Sequence, residues 1–428
     1  MILLLLGYMW LFIHRPFEIW LWLGTLRIEL LYFIVCSVFW LIMHQKIVLK
    51  NINIMAIMGI CASILISEGI TNHTGVLSKT TEEWLKILLF ALLLMTSLRD
   101  EKGLKIIVAG FAVIFFLYML HSYREFLCGR HVYRMGIARM VAVSETLGDS
   151  NSFGYSIVFS LPLLTPLWYL TKEKKLLIVT RLFIVAYLSL AIICVRATGS
   201  RASMIGLISY LLIVIMISKQ RVKILVIAAI FVPILWFSLS TDMKNRYLSI
   251  IDPSRGPANA QESAEGRIEG LKTGLWLLQQ SPVYGFGPGQ AQFYTPHKLQ
   301  THNFIGQIAG ELGGLGLLAY SVLCVSITIN FFMSQLYWKV QVARVPESDP
   351  FMLLVSQAVL IGLFLLILLG MGGHNAFRYT WIWFAVFQAY AVENLRRSAS
   401  TAIIKSGNGQ RNLESARRKR LSISTKAS

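Results

Sequence analysis

The sequence predicts an all-α, polytopic membrane helical bundle of about 12 transmembrane helices, with a large external loop containing an interfacial amphipathic helix. Three observations predict it. Of 428 residues, 56% are hydrophobic and only 14% charged. Apolar runs of about 20 residues, the length that crosses a bilayer as a helix, recur along most of the chain. The basic residues gather in the short segments between those runs, as loop charges that set topology do. The formal net charge of +19 would suggest nucleic acid in a soluble chain. Here the loops account for it, and no aromatic-interleaved basic domain stands outside the spans, so no nucleic-acid partner is expected.

Taken in order, the apolar spans fall near 2–13, 28–43, 52–68, 84–98, 103–121, 152–170, 176–195, 203–218, 223–240, 303–333, 351–370 and 376–393. The first has no basic n-region and no small-residue cleavage site, so it reads as a retained span. The tenth is long enough for a span plus an extra helical piece near Gly313–Gly314. Residues 1–393 form the bundle; 394–428, with "RRSAS" and "ESARRKRLSISTK", form a basic tail too poor in apolar residues to fold. The positive-inside rule puts that tail in the cytoplasm with "HQKIVLK", "RDEKGLK", "TKEKK" and "SKQRVK", so both termini are cytoplasmic. Cys36, Cys61, Cys194 and Cys324 fall in spans and Cys128 alone in a polar loop, which leaves no internal disulfide and no zinc-type spacing.

The external face receives "HRPFEIW", 69–83, 122–151, 196–202, 241–301 and "MGGHNAFR". With Arg27 at the end of the first loop, these loops hold 12 arginines against 4 lysines. Topology needs only positive charge, whereas the planar guanidinium fork grips phosphate or carboxylate with two bonds. The external arginines therefore ask for an anionic ligand, with headgroup anchoring accounting for Arg15 and Arg27. Within 241–301, "DPSRGPANAQESAEG" is expected to be mobile. "RIEGLKTGLWLLQQ" spaces Ile268, Leu271, Leu275 and Leu278 as an amphipathic helix on the external interface. Gly285, Gly287 and Gly289 follow no strand, so they read as a tight turn and not a dinucleotide loop.

Several constellations could carry chemistry. In "THNFIGQIAGELGGLGLLAY", Gly306, Gly310 and Gly314 make a smooth face for close helix packing. Asn303, Gln307 and Glu311 form the neighbouring row, with His302 at the external end. Polar groups at membrane depth face protein or a cavity; the row is either an interhelical hydrogen-bond ladder or the wall of an externally open cleft. In "ATGSRAS", Arg201 opens a helix, which suits an anion or a snorkelling boundary residue. Arg267 opens the interfacial helix in the same way. "MGGHNAFRYTW" repeats the His-Asn pair as His374–Asn375, with Arg378 one turn on and Tyr379, Trp381 and Trp383 as an aromatic belt. "RMVAVSETLGDSNSFG" carries Arg139; its Asp149 and Asn151 also suit a helix N-cap. No acidic cluster on this face would hold a divalent metal, and no nucleophile elbow appears. Arginines, histidines and amides suit binding a pyrophosphate and activating a hydroxyl.

"GDSNSFGYSIVFSLPLL", "TGSRAS", "GRIEGLKTGLWLLQQSPVYGFGPG" and "HNFIGQIAGELGGLGLLAY" together resemble, in order, motifs of the bacterial O-antigen ligase and polymerase superfamily. The resemblance covers roughly 149–320, with an echo in "HNAFRYTW". It implies a membrane glycosyltransferase that uses an undecaprenyl-pyrophosphate-linked glycan donor on the periplasmic face of the bacterial inner membrane, with a glycan or lipid acceptor and neither cofactor nor metal. Carried over by position, Arg201 and Arg267 would bind the pyrophosphate and His302 would be the catalytic histidine. Arg139 and Arg378, with Asn303, Gln307, Glu311 and His374, would be substrate-binding candidates. Two other classes compete: a flippase or exporter of lipid-linked oligosaccharide, for which inverted repeats and midplane broken helices would speak, and a non-enzymatic scaffold.

Overall fold

The computed structural model describes residues 1–43, 50–73, 75–98, 100–134, 136–144, 148–249, 252, 259–295 and 301–424, excepting the side chains of 259–264 and 402–424. Residues 253–258 of the expected mobile stretch and 425–428 of the expected tail lie outside these residues, while the rest of both is helical apart from Asp252. The helices run α1 (Ile2–His14), α2 (Pro16–Ile19), α3 (Leu21–Thr25), α4 (Ile28–Ile42), α5 (Ile52–Thr71), α6 (Lys79–Ser97) and α7 (Glu101–Leu127). A short antiparallel hairpin follows, β1 (His131–Arg134) and β2 (Ile137–Met140), pairing Val132 with Arg139. Then come α8 (Ser150–Ser160), α9 (Leu164–Leu167), α10 (Lys174–Thr198), α11 (Arg201–Ile217), α12 (Arg221–Phe237), α13 (Thr241–Leu248), α14 (Asn259–Gln280), α15 (Phe304–Arg344), α16 (Phe351–Gly370) and α17 (Tyr379–Ser424).

The chain is all-α in class, but the expected count of twelve spans is not reached. Among the described residues, five helices are long and apolar enough to cross a membrane: α5, α7, α10, α15 and α16. A sixth arises if α12 and α13, bent by 119°, count as one. The physical reason is that apolar content alone does not make a crossing. Helices α1, α4 and α11 are apolar but short. The expected span at 152–170 ends as a helix at Ser160 and continues through a 3-10 turn, Leu161–Leu163, and then α9. Pro162 and Pro166, which lack the amide a continuing helix would use, stand in those two pieces. The last span does not stop at 393, since α17 runs on to Ser424.

At the core, α17 packs against α5, α6, α15 and α16. Trp381 and Trp383 are 1% and 0% exposed, so they belong to this core and not to an interfacial belt. Trp381 stacks on Phe304 of α15, and Trp383 packs on Phe90 of α6. Arg15 is likewise no headgroup anchor: it is buried, and its guanidinium pairs with Glu18 and Glu83.

One local device fixes the half that holds the start of α15. Helix α15 breaks at Gly313, whose φ of 63° and ψ of −154° are open essentially to glycine alone. A break frees backbone groups that need partners at membrane depth. The segment after α14 supplies them. Phe286 N donates to Gly310 O and Gly287 N to Glu311 O, while Gly314 N donates to Pro282 O and Leu315 N to Val283 O. Gly285, Gly287 and Gly289 all take positive φ in this turn.

Candidate active site

The site is assembled at the ends of α8, α10, α11, α14 and α15, with the hairpin and the α16–α17 loop. Gly199, with φ of 57°, ends α10, and Ser200 caps α11 by accepting from Ser203 N. A helix C-terminus leaves carbonyls unpaired and carries partial negative charge, so it attracts cations. Two guanidinium groups take these carbonyls. Arg139 Nε donates to Thr198 O at 2.8 Å, and its Nη2 donates to Asn151 Oδ1 at 2.8 Å. Arg246 Nε donates to Gly199 O at 2.6 Å. Arg201, the first residue of α11, donates through Nη1 to Ser249 Oγ at 3.1 Å.

Glycine contacts seat α14 against the start of α15. A Cβ at Gly274 would run into Gly306 O, and one at Gly270 would lie 2.8 Å from His302 N. The buried line of α14 is thus Gly270, Gly274 and Leu277, whereas Ile268 and Leu275 of the predicted apolar face stay exposed. Arg267 stands three residues before Gly270, on the same helix face. Its guanidinium reaches the α16–α17 loop, 3.3 Å from where a Cβ of Gly372 would be.

That loop carries His374 and Arg378. His374 Nδ1 lies 3.3 Å from His302 Nδ1, so the two His-Asn pairs meet. Arg378 Nη1 donates to Ser156 Oγ at 2.7 Å and Ser152 O at 3.2 Å, and its guanidinium lies 5.9 Å from the Tyr155 and Phe159 ring centres. Tyr155 is buried and donates to Gly372 O.

The charges act on one another. The fields of Arg267, Arg378 and Arg139 all reach Tyr155. That of Arg267 reaches Arg201, and those of Arg139 and Arg201 reach Arg246. Desolvation first, and then Arg267, holds His302 below the ordinary histidine value, with Asp149 opposing. Burial, His302 and Arg378 push His374 down to about 4. Asp149 itself is exposed and caps α8, accepting from Asn151 N and Ser152 N. Such mutual repulsion among cations is relieved by an anion with several oxygens.

The structure therefore brings together Arg139, Arg201, Arg267, His302, His374 and Arg378 of the expected residues. Asn303, Gln307 and Glu311 are buried below them and bonded within the protein. Asn303 Oδ1 caps α15 through Ile305 N and Gly306 N, Gln307 Oε1 accepts from Ala376 N, and Glu311 Oε2 accepts from Gly289 N. Two members escaped sequence reasoning: Arg246 and Tyr155. The arginine of "TDMKNRYL" sits in the loop already rich in that residue, which was a usable signal. Tyr155 lies within an apolar run and offered none.

Residues 184–321 match a family model described as O-antigen ligase. This match over about a third of the chain supports its resemblance to the O-antigen ligase and polymerase superfamily. The ligase-family segment holds Arg201, Arg246, Arg267 and His302, whereas Arg139, His374 and Arg378 reach the same place from outside it. The match and the apolar helices together support a multi-pass bacterial membrane protein of glycan-transferring type in general terms. A search among curated proteins finds no match to the chain.

Proposed function

We propose that the chain is a membrane glycosyltransferase acting on the periplasmic face of the inner membrane, transferring or polymerising glycan from an undecaprenyl-pyrophosphate-linked donor without a metal. One observation carries this: five arginines from five separate elements, Arg139, Arg201, Arg246, Arg267 and Arg378, act electrostatically on one another or on Tyr155, beside a pair of histidines. Arg201 and Arg267 hold the pyrophosphate, while Arg139 and Arg246 stay committed to the α10 carbonyls and supply field. The acceptor hydroxyl attacks the anomeric carbon as the bond to pyrophosphate breaks, and His302 takes the hydroxyl proton. Guanidinium groups aimed at the departing phosphate stabilise charge that grows in the transition state, at about 3 kcal/mol per donor.

The exporter reading finds less support. Its broken helices would expose backbone to a substrate path, whereas backbone groups freed at the Gly313 break are bonded to 282–287. The deciding experiment is transfer in proteoliposomes from a purified lipid-pyrophosphate glycan, with wild type and His302→Ala. Transfer by wild type and none by the variant, with donor still bound, is expected. Donor translocation without any new glycosidic bond would replace this proposal with the exporter.

A further inference from the structure

His302 has two ring nitrogens, and a base needs one with a free lone pair facing the acceptor. Which nitrogen that is depends on the bond made by the other. Here the other partner is a second imidazole. The Nδ1 atoms of His302 and His374 lie 3.3 Å apart, with ring centres 5.3 Å apart and planes at 41°. Two Nδ1 atoms at hydrogen-bond distance share one proton: one ring donates and the other accepts.

Resting on the proposed glycan transfer, we infer that His374 is a positioning residue that accepts the Nδ1–H of His302 and so leaves the His302 Nε2 lone pair for the acceptor hydroxyl. Both rings are mounted on latched backbone. Asn303 Nδ2 donates to Met371 O, Ala376 N donates to Gln307 Oε1, and Asn375 Nδ2 donates to Leu366 O. The asparagine after each histidine thus ties the α15 start and the α16–α17 loop in place. Asp149, the carboxylate whose field reaches both rings, has its Oδ2 occupied by the α8 cap.

The neighbourhood suits a neutral orienting group. Arg267, Arg134 and Asp149 face His302, and Arg378 and Asp149 face His374. Burial, with His302 and Arg378 beside it, keeps His374 neutral at pH 7. A neutral imidazole fixes the tautomer without taking the proton. In the step, the acceptor O–H proton passes to His302 Nε2 and the acceptor oxygen bonds to the anomeric carbon. The carbon–oxygen bond to pyrophosphate breaks, and its electron pair leaves with the phosphate. His302 then keeps both protons until water removes one.

The test uses the full chain in nanodiscs with a lipid-pyrophosphate glycan donor. His374→Leu removes the acceptor, whereas His374→Gln can offer Oε1 to the same Nδ1–H. His374→Leu should lower kcat about tenfold with KM unchanged, the scale of losing one orienting hydrogen bond, and His374→Gln should restore most of it. Histidine 15N spectra, assigned by loss of signal in His302→Gln, should show wild-type His302 protonated at Nδ1 and a shift toward the Nε2–H form in His374→Leu. The inference is overturned if both variants match wild type, if both fall equally, or if wild-type His302 carries its proton on Nε2. Full transfer by His302→Gln would instead overturn the proposed function; an essential His302 with silent His374 variants overturns this inference alone.

Discussion

Replacing Gly313 by alanine tests whether the break in α15 positions the site. A Cβ there would lie 2.7 Å from Gly285 N and from Val283 C and O. These are backbone atoms in a closed turn, so they cannot swing aside as a side-chain tip could. The φ and ψ of Gly313 cost a non-glycine residue about 1–3 kcal/mol. Pushing 282–285 away also lengthens Gly314 N to Pro282 O, 2.8 Å, and Leu315 N to Val283 O, 3.0 Å, at roughly 0.5–1.5 kcal/mol each. The expected loss is about 2–6 kcal/mol. For 428 residues, an unfolding entropy of about 2.1 cal/mol/K per residue converts this to a Tm fall of about 2–7 °C in detergent. Because the same turn follows α14, Arg267 should be displaced, and transfer should fall by about 10-fold or more. Gly69→Ala is the control, since nothing lies within 4 Å of its Cβ position. If Gly313→Ala keeps wild-type Tm and transfer, the turn does not hold the site and this reasoning fails.

Arg201→Lys and Arg267→Lys keep the charge but lose the fork, so each should lower kcat/KM by roughly 100-fold; full activity in both would remove the pyrophosphate-binding role. Because His302 lies below the ordinary histidine value, the neutral base persists under pH 6.5, and kcat should fall only as pH drops through that lowered value. Arg267→Gln takes away a cation that depresses His302, so the acid limb of kcat should move to higher pH; an unmoved limb would show that another group titrates. Glu311→Leu leaves the Gly289 amide without its acceptor and should cost about 1–3 kcal/mol, whereas Glu311→Gln keeps an oxygen there. Equal Tm values for the two variants would deny Glu311 that latching role.

Apolar run length announced the helices because hydropathy and length are local properties. It could not by itself settle the number of crossings, because lipid-facing and protein-facing apolar helices share one composition, and only five or six described helices pass a length and hydropathy test. The same ambiguity misassigned Trp381 and Trp383: an aromatic cluster near a helix start fits an interfacial belt or a core equally well until its neighbours are known. Arg15 was misread for a related reason, since its partner Glu83 lies far along the chain. Loop positions and motif resemblance singled out the arginines and histidines, whose role as a site stands as a proposal. The hairpin that delivers Arg139 went unrecognised, although "HVYRMGIARM" places a glycine between two short runs suited to strands. Tyr155 was beyond reach, because only the folded loop reveals that Gly372 and the guanidinium groups surround it.

The polar row of α15 shows how scaffold and chemistry divide along one helix. Asn303, Gln307 and Glu311 recur every four residues and are 3%, 6% and 3% exposed. Each holds a different backbone: the first turn of α15 and Met371, then Ala376, then Gly289. At membrane depth those backbone groups have no water to turn to, so a row of side-chain donors and acceptors ties the loops to the helix. The loops tied down include the one that carries His374 and Arg378 and the one that follows the Arg267 helix. His302, one position before the row begins, faces His374 instead. A substitution in the row should therefore lower stability and kcat together, whereas a substitution at His302 should lower kcat alone.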